Sequence, residues 1–289
     1  MHSGLIVSTA VQVVLLVALI CVLRGKSLHK AFPAYFAYLW IDTLSTASYL
    51  VSKGLVSLSI LSYRTAQLAY FYFYLLCYLV AALLIFRVVY DLYRQATSAL
   101  PGIQHLGAVA FRWSVAVSGI MAVAAIFGSR ASSTQLILMV GTQIERCECI
   151  LVLCLVTFFA FTAQTLGMSY GSRVFGISFG LAMMSTYQLV EVALFLRFPT
   201  QGMLINLIGE IVQLSAISLW VVYFVKAEPQ RRLVTVESTS PLIRWNEIAQ
   251  LLNNPAGQVV VSQPDALMAE VHAVIEKAKQ RGAGMSVAR

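Results

Sequence analysis

Short polar interruptions divide the first 227 positions into seven long apolar runs, roughly 4–23, 32–52, 66–90, 108–128, 136–165, 174–196 and 203–225. Each approaches the ~20 residues that a helix needs to cross the hydrocarbon core of a bilayer. In lipid, a helix satisfies its own backbone groups, so the pattern predicts a bundle of about seven transmembrane helices. The fifth run is overlong. Its crossing is expected from about 148 to 166, with "TQLILMVGTQI" upstream either extending the helix outward or lying in the interface. The first run reads as a span rather than a cleaved signal peptide. No Lys or Arg precedes it, and Arg24, Lys26 and Lys30 follow it.

Composition strengthens that picture. The 289 residues are 59% hydrophobic and 11% charged, with a mean hydropathy of +0.80, whereas soluble domains carry about 25% charged residues. Most of the chain must face lipid. The net charge of +8 then reads as loop anchoring to anionic headgroups, not as nucleic-acid binding. Five cysteines, mostly within apolar runs, do not make a disulfide framework. Lys and Arg also orient the chain. With the N-terminus outside, the inner segments hold eleven of them, Arg24, Lys26, Lys30, Arg87, Arg94, Arg112, Arg173, Lys226, Arg231, Arg232 and Arg244. The outer segments hold five, Lys53, Arg64, Arg130, Arg146 and Arg197. The bias predicts N-out and C-in, which an odd number of spans also demands.

Positions 228–289 differ in kind from the transmembrane domain at 1–227. "AEPQRRLVTVESTS" is a polar linker. A helix is then signalled by Ser240 as N-cap and Pro241 at the first helical position. Leu242, Trp245, Ala249 and Leu252 form its apolar face. A second helix starts with Ser262 and Asp265 in a capping-box pattern and ends at Gly282. This cytoplasmic tail is expected to lie on the membrane face or the bundle, or to dock a cytoplasmic protein partner through 241–282. It is too short for a kinase or cyclase domain.

Polar residues inside the spans carry the functional signal, because an ionisable group in lipid is costly and usually faces the bundle interior. In the second span, Tyr35, Tyr38, Asp42, Thr46 and Tyr49 share one helix face, with Asp42 near the midplane. The third span opposes them with Tyr70, Tyr74 and Tyr78. These stripes are expected mainly as packed helix contacts whose hydroxyls find partners. Glu191 and Glu210 flank the hairpin "RFPTQG" at matching depth, about 9–10 Å below the outer boundary. Gln188 accompanies the first, and Asn206 and Gln213 the second. Two such carboxylates must share a proton, hold a cation or pair with arginine.

The stretch "ERCEC" at 145–149 enters the fifth helix near that depth, with Glu145 and Glu148 as further acids and Arg146 as the obvious counter-ion. Residues two apart on a helix diverge by about 200°, so Cys147 and Cys149 cannot converge on one metal or form a disulfide. Two readings stay open. One is a charged rim of an outward-facing ligand pocket of Asp42, Glu145, Arg146, Gln188, Glu191, Glu210 and Gln213. The other is a paired anchor at the helix end.

Missing residues set several activities aside. The last span has no lysine for a retinal Schiff base, and no span holds a histidine for haem or a hydrolytic site. No cofactor and no enzymatic constellation is expected. "GISFG", from Gly176 to Gly180, is a GxxxG whose usual role is close helix packing.

"FPAYFAYLWID" in the second span, "YFYFYLLCYLV" in the third and "YGSRVFGISFGLAM" entering the sixth resemble a group of bacterial seven-helix integral membrane proteins, notably from acidobacteria, with no assigned activity. The resemblance implies the seven-helix fold and a bacterial inner-membrane location. It carries over no functional residue. Three roles follow as expectations: a sensor- or receptor-like bundle that binds a small polar or cationic ligand, a proton- or cation-coupled secondary transporter, and a structural subunit of a membrane complex. No repeat relates the first three spans to the last three, and proline is confined to Pro33 near a span start, which weighs against transport.

Overall fold

The computed structural model describes residues 2–98, 100–127, 133–162, 169–227, 244–246 and 248–250. Among them the chain is all-α, with long helices α1 (His2–Gly25), α2 (Pro33–Ser57), α3 (Tyr63–Ala96), α4 (Pro101–Phe127), α5 (Ser133–Thr162), α6 (Arg173–Arg197) and α7 (Gly202–Val225). Local chemistry sets several of the starts. Pro33 stands in the first turn of α2. Ser62 and Ser172 cap α3 and α6, their hydroxyls accepting from Thr65 N and Phe175 N at 3.3 Å each. The overlong fifth run is one unbroken helix as far as Thr162, so "TQLILMVGTQI" belongs to α5 instead of forming a separate interfacial segment.

Each helix packs on its neighbours in sequence, and α1 closes the ring against α7. α3 also reaches α5 and α6, whereas among the seven long helices α4 packs on α3 and α5. Long-range hydrogen bonds define one end of the bundle. Lys26 Nζ donates to the carbonyls of Phe224 and Val225 at 2.9 and 2.7 Å, serving the unpaired C-terminus of α7. At the same end Gln95 donates to Ala31 O, Tyr93 to Ile103 O and Tyr223 to Tyr170 O. The C-termini of α1, α3 and α7 therefore meet the N-termini of α2, α4 and α6.

The core gathers in that half. Each of the twelve largest fully buried side chains lies in the half of its helix nearer this end, from Leu16, Leu19 and Leu23 on α1 to Ile217, Trp220 and Phe224 on α7. Trp220 is the keystone. Its indole donates to Ile177 O at 3.3 Å, and Tyr35 meets it edge-on at 5.4 Å. Gly180 makes room for that indole and Gly176 for the Tyr223 ring, where a Cβ would collide with either. The GxxxG of α6 thus seats two aromatic rings of α7.

Among the described residues, four helical segments are long and apolar enough to cross a membrane by length and composition: Ile6–Gly25, Tyr63–Ala96, Arg173–Phe195 and Gly202–Val225. Large apolar side chains also stand exposed on the outer faces, among them Val14, Leu83, Trp113, Ile120 and Leu207. Such faces are consistent with a membrane protein whose helices contact lipid.

Part of the tail is also described. Residues 244–246 and 248–250 are helical. Asn246 Oδ1 accepts from Gly102 N at 2.8 Å and Ile103 N at 3.3 Å, capping the first turn of α4. Ala249 of the expected apolar face is buried, but Trp245 of that face is exposed. The reason is that contact runs through the polar cap, which rotates the Trp245 side away from the bundle. Ser240, Pro241, Leu242, Leu252 and the expected helix at 262–282 lie outside the described residues.

Candidate functional site

The half opposite the packed core holds a cavity of about 720 Å³. Its walls come from the N-terminal halves of α1 and α7, one face each of α2 and α3, the middle of α5 and the C-terminal half of α6. The volume lies within the ~300–1,000 Å³ range of small-molecule sites. What sets it apart is charge. Five carboxylates line it, those of Asp42, Glu145, Glu148, Glu191 and Glu210, and among the described residues no Lys, Arg or His does. The only other acid within residues 1–227, Asp91, pairs with Arg87 at 3.3 Å on α3, away from the cavity.

The helix period explains the convergence. On α2, Tyr38, Asp42, Thr46 and Tyr49 recur every three or four residues and turn one polar face inward. On α3, Tyr70, Tyr74 and Tyr78 do the same, and their rings form a ladder. Successive centroids are 5.9 and 6.3 Å apart, and Tyr49 joins at 5.8 Å from Tyr70. These are ordinary distances for favourable aromatic pairs. Tyr35, first in the α2 stripe, instead packs against Trp220 and Phe224 in the core.

Three contacts fix the opposite walls. Tyr78 donates its hydroxyl to Glu145 Oε2 at 2.5 Å, and its ring rests against Gly141, one turn earlier on α5. Tyr187 donates to Ile205 O at 2.5 Å and packs against Gly209, pinning α6 to α7 between Glu191 and Glu210. Cys149 Sγ donates to Gln188 Oε1 at 3.2 Å, tying α5 to α6. Cys149 is therefore a structural thiol, and Cys147 is likewise free of any disulfide.

Glu148 is the unusual member. Its residue is 4% exposed, yet its Oε2 has no hydrogen-bond partner among the described residues. Asp42 Oδ2 is likewise buried and unpartnered among them. Buried polar groups are almost always hydrogen-bonded because desolvation is costly, so two such oxygens in residues lining one cavity call for a ligand-side explanation. Among the described residues, no three Asp, Glu, His or Cys side chains converge as a metal-binding group. The acids are spread along the walls.

Of the residues singled out in the sequence, Asp42, Glu145, Gln188, Glu191, Glu210 and Gln213 all line this cavity. Arg146 does not; its side chain is exposed and no acid pairs with it among the described residues. The expected counter-ion is thus outside the wall. Lys53 approaches the lining, its Nζ standing 5.5 Å from the Tyr49 ring centroid and 5.9 Å from that of Tyr63. Thr9 and Gln12 of α1 complete the wall. Their signal was a polar pair at i and i+3 inside an otherwise apolar run. Comparison with known proteins adds nothing to this geometry: no family model, curated protein or solved structure matches the chain.

Proposed function

We propose that the chain is a seven-span, multi-pass sensor- or receptor-like protein of a bacterial inner membrane, N-out and C-in, whose acidic cavity binds a small polar or cationic ligand from outside. One observation carries the binding role: among the described residues, five carboxylates and no base line one cavity, with two buried oxygens unpartnered. A cation is the ligand that such a site stabilises. The orientation rests on the distribution of Lys and Arg, and the location on the resemblance to bacterial seven-helix proteins. The relay runs inward through α4, whose first turn is capped by Asn246 of the tail, so a partner pulling on the tail acts on the bundle.

A second reading, a cation-coupled transporter, draws on Asp42. That residue lies in the middle part of α2 and shares the cavity with Glu145 and Glu148 from the middle of α5, so the acidic lining reaches towards mid-bundle. Against it stands the packed half, which closes the other side with Trp220, Phe224 and their neighbours. The purified chain should melt higher with small amines present, and Glu191→Gln and Glu210→Gln should lose that shift. Unchanged melting in both variants and wild type would remove the cavity role. Ligand-dependent cation flux into liposomes would replace the sensor with the transporter.

A further inference from the structure

We infer that the cavity is built for a linear polyamine, a chain of protonated nitrogens spaced by methylene groups, rather than for a metal ion or a single ammonium. This deepens the proposed cation-binding role and rests on it. The first reason is charge number. Five carboxylates, with no lining base among the described residues, offer acceptors for more than one ammonium. The second is spacing. The carboxylates share one cavity, yet among the described residues no three of them converge for a metal ion. Divalent ions take six or more oxygens at about 2.0–2.6 Å, and charges spread along a wall suit a ligand with charges spread along a chain.

The third reason is the surface between the acids. Tyr70, Tyr74 and Tyr78 form a run of stacked and tilted rings that lines the same cavity as Glu145 and Glu191. Ring edges pack against methylene stems, and hydroxyl oxygens accept from ammonium groups. At the end of the run, Lys53 holds an ammonium on an alkyl stem over the Tyr49 ring. The deepest nitrogen would meet Glu148, nine-tenths buried with a carboxylate oxygen unpartnered among the described residues, and Asp42 lines the same cavity. Tyr78 holds the neighbouring Glu145 in place by its hydroxyl.

The test titrates the full chain in phosphatidylcholine nanodiscs, a zwitterionic surface that does not itself attract polycations. The probes are butylamine, 1,4-diaminobutane, spermidine, Mg²⁺ and neutral 1,4-butanediol, followed by calorimetry. Affinity should rise about tenfold or more with each added ammonium, and butanediol should not bind. Glu148→Gln and, independently, Glu191→Gln should each weaken spermidine about tenfold while the melting profile without ligand shows both variants folded. Butylamine binding as tightly as spermidine would overturn the polyamine inference and leave the cation cavity standing. Mg²⁺ outcompeting every amine would do the same. If no cation binds the folded wild type, the cavity reading falls with it.

Discussion

The two halves of the bundle are made from the same helices and differ in almost everything else. One half is filled: the largest buried side chains collect there, Trp220 and Tyr223 sit on Gly180 and Gly176, and Lys26 closes the end of α7. The other half is hollow and acidic, with carboxylate oxygens of Asp42 and Glu148 left unpartnered. The difference shows a division of labour along each helix. Close packing in one half supplies the cohesion that lets the other half keep polar groups in costly positions.

The largest way to break this division is to open the packed half. Trp220→Ala removes a fully buried indole, its bond to Ile177 O and its seat on Gly180. Unfolding in detergent should show a loss of about 3–5 kcal/mol, and the acidic half should lose ligand response along with the fold. A loss under about 1 kcal/mol would mean that the two halves do not depend on each other.

The second test should move stability the other way. Glu148→Leu replaces a buried, unsatisfied carboxylate by an apolar group of similar reach. The chain without ligand should gain about 1–3 kcal/mol, because the desolvation penalty of that group disappears. Amine binding should fall at the same time. Gained stability with lost binding is the signature of a functional residue held at a cost, and a destabilised variant would place Glu148 among the structural groups.

Much of this contrast was legible in the sequence, for a physical reason. A helix of 3.6 residues per turn converts spacing into faces, so Tyr38, Asp42, Thr46 and Tyr49 could be placed together before any coordinates. The short hairpin between α6 and α7 likewise predicts that Glu191 and Glu210 lie close, and both line the cavity. Charge partners are another matter, because a side chain's direction around the helix decides them. Arg146 follows Glu145 directly, and a one-residue step turns it about 100° away. Glu148, three residues from Glu145, remains on the inward face. The tyrosine stripes were expected chiefly as packing. They prove to be packing and cavity wall at once, since rings stacked on one another still present an edge and a hydroxyl to the interior.

A smaller effect tests the link between the bundle and its tail. Asn246 reaches across 143 or more residues of sequence to cap Gly102 and Ile103. Asn246→Ala should cost about 1 kcal/mol, the usual value of a helix cap. Hydrogen exchange at the first turn of α4 should rise, with α6 and α7 unchanged. Faster exchange throughout the packed half would instead make the tail part of the core.

The smallest expected effect is the most discriminating for charge. Arg146 is exposed, lies off the cavity wall and has no carboxylate partner among the described residues. Arg146→Gln should therefore change unfolding by no more than about 0.5 kcal/mol and leave amine affinity within about twofold, since a group in high dielectric is strongly screened. Were Arg146 the internal counter-ion, its removal would leave Glu145 or Glu148 uncompensated. Amine affinity would then rise sharply as a ligand took the vacated role. A flat response to Arg146→Gln beside a large response to Glu148→Gln would assign the neutralising charge to the ligand, because the wall itself contains none.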